Sequence, residues 1–107
     1  MSTTPSSQIL SMNGLIDYQE GSIVSRVMLK SEGGNVTMFA FDQGQELSEH
    51  SAPYDALVEI FDGEAEILIS GNPFILKSGE AIIMPANDPH ALMAVKQFKM
   101  LLTMLKN

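Results

Sequence analysis

The run Leu57-Val58-Glu59-Ile60-Phe61-Asp62-Gly63-Glu64-Ala65-Glu66-Ile67-Leu68-Ile69-Ser70-Gly71-Asn72 reads as two strands and two turns. Asp62-Gly63 is a strong hairpin dipeptide, because a tight turn between twisted strands needs residues that accept positive φ. It predicts a hairpin joining Leu57–Phe61 to Glu64–Ser70. In the second strand Ala65, Ile67 and Ile69 alternate with Glu64, Glu66 and Ser70, apolar inside and polar outside. Glu64 and Glu66 then form a solvated face that limits aggregation. Gly71-Asn72 turns the chain again.

Outward from this core the same grammar repeats. Towards the C-terminus, Pro73–Leu76, Ala81–Met84, His90–Val95 and Lys99–Leu105 read as strands, with turns at 77–80 and 85–89. Towards the N-terminus, Leu47–Ser51, Val36–Phe41 and Ile23–Leu29 do the same. A short helical turn is expected around Asn13–Tyr18, ended by Gly21, and residues 1–8 read as a flexible tail. About nine short strands with turn residues every 8–12 positions and no long helix predict an all-β sandwich or barrel. Met100-Leu101-Leu102-Thr103-Met104-Leu105 is apolar on both faces. A strand of that kind needs a second layer outside the barrel. That layer is expected to be a homodimer partner, built on this strand and the odd positions of Leu57–Phe61, unless the N-terminal segment folds back over it.

Composition excludes several function classes. The chain has 107 residues, enough for one domain. It has no cysteine, so disulfides, thiolate metal ligands and cysteine nucleophiles are absent. Two histidines cannot make a three-histidine zinc site. A net charge of −7 argues against a nucleic-acid backbone as partner. No apolar run reaches the roughly 20 residues of a membrane span, and a cytoplasmic protein is expected. There is neither a phosphate loop nor a dinucleotide fingerprint. The eight methionines read first as core filler.

The two histidines are the candidates for chemistry. His50 follows Gly44 by six positions, and His90 follows Pro85 and Pro89 at the start of a strand. Here the chain resembles the cupin superfamily, over roughly residues 35–105. That family's first motif runs Gly, five residues, His, one residue, His, three or four residues, Glu, six residues, Gly. This chain supplies Gly44, His50, Ala52, Ala56 and Gly63 at those places. The second motif runs Gly, five residues, Pro, one residue, Gly, two residues, His, three residues, Asn. Here it is met by Gly79, Pro85, Asn87, His90 and Ala94.

The resemblance implies a small double-stranded β-helix, or jelly-roll barrel, spanning residues 9–107 as a single domain. It also implies a site at the barrel mouth. Cupins that bind a metal use the three histidines and the glutamate of these motifs, and Ala52 and Ala56 replace two of the four. Two readings follow. In one, the barrel holds a small, mostly apolar molecule among Val58, Ile60, Ile67, Ile83 and methionines, with His50 and His90 at its polar end and Tyr54 and Asp55 near the mouth. In the other, His50 and His90 hold a divalent transition metal (Fe, Mn, Ni, Cu or Zn) in a dioxygenase- or isomerase-like enzyme. A methionine near the pair (Met38, Met84 or Met93) would favour copper(I).

Overall fold

Strands make up most of the residues 4–106 that the computed structural model of the protein describes. They are β1 (Ile23–Ser31), β2 (Gly34–Phe41), β3 (Glu46–His50), β4 (Asp55–Ile69), β5 (Asn72–Lys77), β6 (Ala81–Met84), β7 (His90–Met93) and β8 (Phe98–Leu105). All pairings are antiparallel. One sheet runs β1-β2-β8-β4-β6 and the other β3-β7-β4-β5, so the two share β4. The result is an all-β, double-stranded β-helix barrel of the jelly-roll kind. No helix among the described residues is long and apolar enough to cross a membrane.

The expected hairpin at Asp62-Gly63 does not form. β4 runs through it without a break, which is why there are eight strands among the described residues and not nine. Up to Gly63, β4 pairs with β8, and it pairs with β6 over Ala56–Glu59; beyond Gly63 it pairs with β5 and β7. The register against β8 shifts between Ile60 and Asp62, the mark of a β-bulge. One extra residue there reverses the side-chain parity. Ala56, Val58 and Ile60 face the barrel before the bulge, and Ala65, Ile67 and Ile69 face it afterwards. Gly63 has φ +75°, and a Cβ on it would overlap the Gln97 carbonyl oxygen. The glycine therefore serves a bend between sheets, where the chain approaches another strand too closely for a side chain.

The interior is packed by Phe41, Val58, Ile60, Ile67, Leu92, Phe98 and Met100, each at most 2% exposed. Phe41 and Phe98 stack with ring centroids 4.5 Å apart. Outside the β1-β2-β8-β4 sheet lies a second cluster. Ile16 packs on Met38 and Ala40, bordered by Leu15, Tyr18, Phe61 and Leu101. The N-terminal segment thus covers part of the outer face of β8. It is clasped there by polar groups. The Tyr18 hydroxyl donates to Asp62 Oδ2 at 2.6 Å, Lys99 Nζ donates to the Asn13 carbonyl at 3.0 Å, and Arg26 donates to the Leu15 carbonyl at 3.0 Å. Burial, with the Asp62 carboxylate beside it, holds the Tyr18 phenol protonated far above its ordinary range.

The helical turn in this segment is a 3₁₀ turn at Met12–Gly14, earlier than the expected Asn13–Tyr18. Leu15, Ile16 and Tyr18 are recruited to the sheet instead. Of the expected tail, residues 1–3 lie outside the described residues, and Thr4 contacts Met28 and Arg26.

Candidate functional site

The cavity sits at one end of the barrel, where β3, β7, β6, β8 and the start of β4 meet. It has a volume of about 70 Å³ and is lined by Phe39, Leu47, His50, Ala52, Tyr54, Ala56, Met84, His90, Leu92, Met100, Leu102 and Met104. A water needs only about 10–15 Å³ of such space, so a guest of a few heavy atoms fits.

Strand register brings the histidines together. His50 on β3 pairs directly with His90 on β7, and His90 also pairs with Ile69 of β4. The pairing depends on a second bulge. Leu47 faces Leu92, and one extra residue in β3 then places His50, and not Glu49, opposite His90. Bulges near sites re-aim side chains in this way. The imidazole centroids lie 4.4 Å apart with planes at 69°. Two loops hold the geometry. Asn87 N–H donates to the Ala52 carbonyl at 2.7 Å, and Ala86 N–H donates to Asp55 Oδ1 at 2.9 Å. Asn87 adopts φ +70°, a conformation asparagine tolerates better than most residues.

Hydrogen bonding sets the tautomers. His50 Nδ1 lies 2.8 Å from the Ser48 carbonyl oxygen, and His90 Nδ1 lies 3.2 Å from that of Asp88. A carbonyl oxygen only accepts, so each Nδ1 carries the proton. In the neutral rings the lone pairs are then on Nε2. His50 is exposed at the rim, and His90 is 8% exposed inside. Burial lowers the pKa of His90. The hydrogen bond to Asp88 opposes that shift, and neighbouring His50 adds to it.

The sequence-predicted residues fall into distinct places. His50, His90, Tyr54 and Met84 line the cavity together. Val58 and Ile60 lie further along β4, in the packed core beyond the lining. Ile67 is fully buried in the same core, whereas Ile83 faces outward at 63% exposure and cannot meet a ligand in the barrel. The carboxylate of Asp55 is engaged by Ala86. Met38 belongs to the outer cluster, and Met93 alternates with the inward-facing Leu92. Two lining methionines escaped the sequence reading, Met100 and Met104. Their alternation with Leu101 and Thr103 was the available signal.

The donor set does not fit the metal that the superfamily's complete motif holds. Among the described residues no group of three or more His, Cys, Asp or Glu could hold a metal ion. Ala52 and Ala56 both line the cavity, so the two substituted positions face the site and supply no donor.

The Cupin domain profile matches residues 37–105. A conserved protein of unknown function from Streptococcus pyogenes is 37% identical, with a TM-score of 0.90, over 94% of this chain and 89% of that one. A cupin 2 conserved barrel domain protein from Leptotrichia buccalis is 44% identical, with a TM-score of 0.84. That match covers 87% of this chain and 45% of the Leptotrichia protein, so this chain spans less than half of its length. A cupin superfamily protein from Desulfitobacterium hafniense is 28% identical, with a TM-score of 0.90, over 96% and 94% of the two chains. A comparison with curated proteins finds no match. With both motifs in register on the observed barrel and the profile spanning most of the chain, the protein belongs to the cupin superfamily.

Proposed function

We propose that this cupin binds a small molecule in the barrel, with His50 and His90 at the ligand's polar end. The observation that carries the reading is the pair of imidazoles, 4.4 Å apart, with both Nδ1–H groups tied to backbone carbonyls. Each ring keeps Nε2 for a guest, in a cavity whose other walls are mostly apolar. Such a site accepts an electron-poor partner. A hydroxyl or amine donor is favoured, and a carboxylate meets two acceptors and no donor from the rings. Tyr54 at the rim, Met84 and the Leu102 side of β8 supply apolar contact, and Val58 and Ile60 back the cavity as its rigid floor. The dioxygenase- or isomerase-like alternative needs a divalent ion, and the donor set speaks against it. A homodimer through the uncovered outer face of the β1-β2-β8-β4-β6 sheet completes the reading.

The test is ligand-observed NMR with small alcohols, phenols, amines and matched carboxylates, on wild type and on His50→Ala/His90→Ala. Donor-bearing fragments are expected to bind the wild type and to weaken at least about fivefold in the double variant, as for loss of one or two hydrogen bonds. Equal responses from the two proteins would separate the histidines from binding.

A further inference from the structure

A second cavity lies outside the barrel, between the N-terminal segment and the outer face of β1, β2 and β8. Its volume is about 360 Å³, against about 70 Å³ at the barrel end. That is within the range of small-molecule sites, roughly 300–1,000 Å³. Met28 and Leu29 of β1, Val36 and Met38 of β2, and Leu101 of β8 form its floor. Leu10, Met12 and Leu15 form the facing wall. The segment is held on both sides of this span. Thr4 donates to Met28 Sδ at 3.9 Å and accepts from Arg26, while Asn13, Leu15 and Tyr18 are clasped by Lys99, Arg26 and Asp62. Between these anchors the chain bends at residues 6–8, and Ile9 is fully exposed.

From this arrangement we infer that the cavity is a second binding site, for an uncharged, mostly hydrocarbon molecule carrying an aromatic ring. It shares no lining residue with the barrel cavity, so the inference stands or falls independently of the histidine site.

Three physical arguments converge. The first is apolar surface left in water. Leu29 is 69% and Met12 40% exposed, because the anchored segment does not settle onto the floor. A guest between them withdraws both from solvent and breaks none of the anchoring hydrogen bonds, which makes its burial favourable. The second is charge. Among the described residues the lining has no ionisable side chain, and its polar side chains are the hydroxyls of Thr4 and Ser6. Arg26 is tied to the Leu15 carbonyl and to Thr4 and does not line the space. An ionised guest would lose its hydration there without gaining a partner. The third is sulfur. Met12 on the wall faces Met28 on the floor, with Met38 beneath. Thioethers adapt their shape to a guest and make favourable contacts with the edges of aromatic rings.

The experiment uses the full chain and two fluorescent probes with one ring system, neutral N-phenyl-1-naphthylamine and its anionic 8-sulfonate. Binding is followed by fluorescence and located by NMR of methionine methyl groups. The variants are Met12→Asp, which puts a charge on the exposed wall, and Met28→Trp, which fills the space. Expected are one neutral probe per chain, at least about tenfold weaker binding of the sulfonate, and a loss of at least about tenfold in either variant. The methyl signals of Met12 and Met28 should move, and those of Met84 and Met100 in the barrel should not. Absence of probe binding overturns the inference, as do equal affinity for the sulfonate and unchanged affinity in both variants. Shifts confined to Met84 and Met100 would give the probe to the barrel and overturn it too. So would probe binding that falls as protein concentration rises, because a second copy would then occupy the cavity. If Met28→Trp does not fold, Met12→Asp and the methyl shifts still decide.

Discussion

His90 carries an opposition that its two neighbours cannot relieve. Its Nδ1–H is held by the Asp88 carbonyl, but burial disfavours the imidazolium, and exposed His50 sits against it. The folded-state pKa therefore lies below the unfolded value of about 6.5. Through that window the unfolded chain binds more protons than the folded one, so stability falls as pH falls. The stabilisation is fully present above the unfolded pKa and is lost as pH drops below it. His90→Asn keeps an N–H donor near the Nδ1 position and does not titrate. Urea unfolding at about pH 7.5 and about pH 5.5, on either side of the unfolded pKa, should show a larger loss for wild type than for His90→Asn. Equal losses would mean that the imidazole charges freely in the folded state. The same protonation removes the Nε2 acceptor, so fragment affinity should fall in the same direction.

At the scale of elements, β4 organises the barrel, and Gly63 is its weakest point for substitution. An alanine there must hold a left-handed backbone and overlap the Gln97 carbonyl. Left-handed backbone costs about 1–2 kcal/mol for a non-glycine residue, and overpacking adds about 1–3 kcal/mol. Gly63→Ala should therefore destabilise the protein by about 2–5 kcal/mol in urea unfolding. By contrast, a Cβ on Gly71 meets nothing within 4 Å, so only the backbone conformation, φ +81°, opposes Gly71→Ala. The contrast shows what the sequence could carry. The strands, the alternation of Ala65, Ile67 and Ile69, and the slots of His50 and His90 were all legible, because each follows from local pattern or fixed spacing. Asp62-Gly63 was misread because a positive-φ glycine serves a hairpin and a strand bend equally well, and only the partner strand decides. The bulge in β3 was illegible for the same reason. It exists in the register against β7, and that register is what turns His50, not Glu49, towards His90.

At the scale of the molecule, the outer face of the larger sheet is divided. The N-terminal segment covers Met38, Ala40 and Leu101, and beside it a row crosses all five strands, exposed at its two ends and half-buried between them. Leu29 pairs with Val36, Val36 with Thr103, Thr103 with Leu57, and Leu57 with Ile83. With strands about 4.8 Å apart, this row spans roughly 19 Å. Leu29 is 69% and Ile83 63% exposed, and no charge interrupts the row in a chain of net charge −7. An uncharged stripe is where two copies of so acidic a chain meet with least repulsion. A standard interface removes about 800 Å² from each partner, against 6412 Å² of accessible surface here. A two-fold pairing about β8, centred on Thr103, would bring Leu29 and Ile83 of one copy towards the same row of the other. Sedimentation should therefore find a dimer whose melting temperature rises with protein concentration. Ile83→Glu should give a monomer with its strands intact, because the side chain leaves no hole in the core and places two like charges in the contact. A wild-type monomer, or an Ile83→Glu protein that stays dimeric, would move the interface off this face.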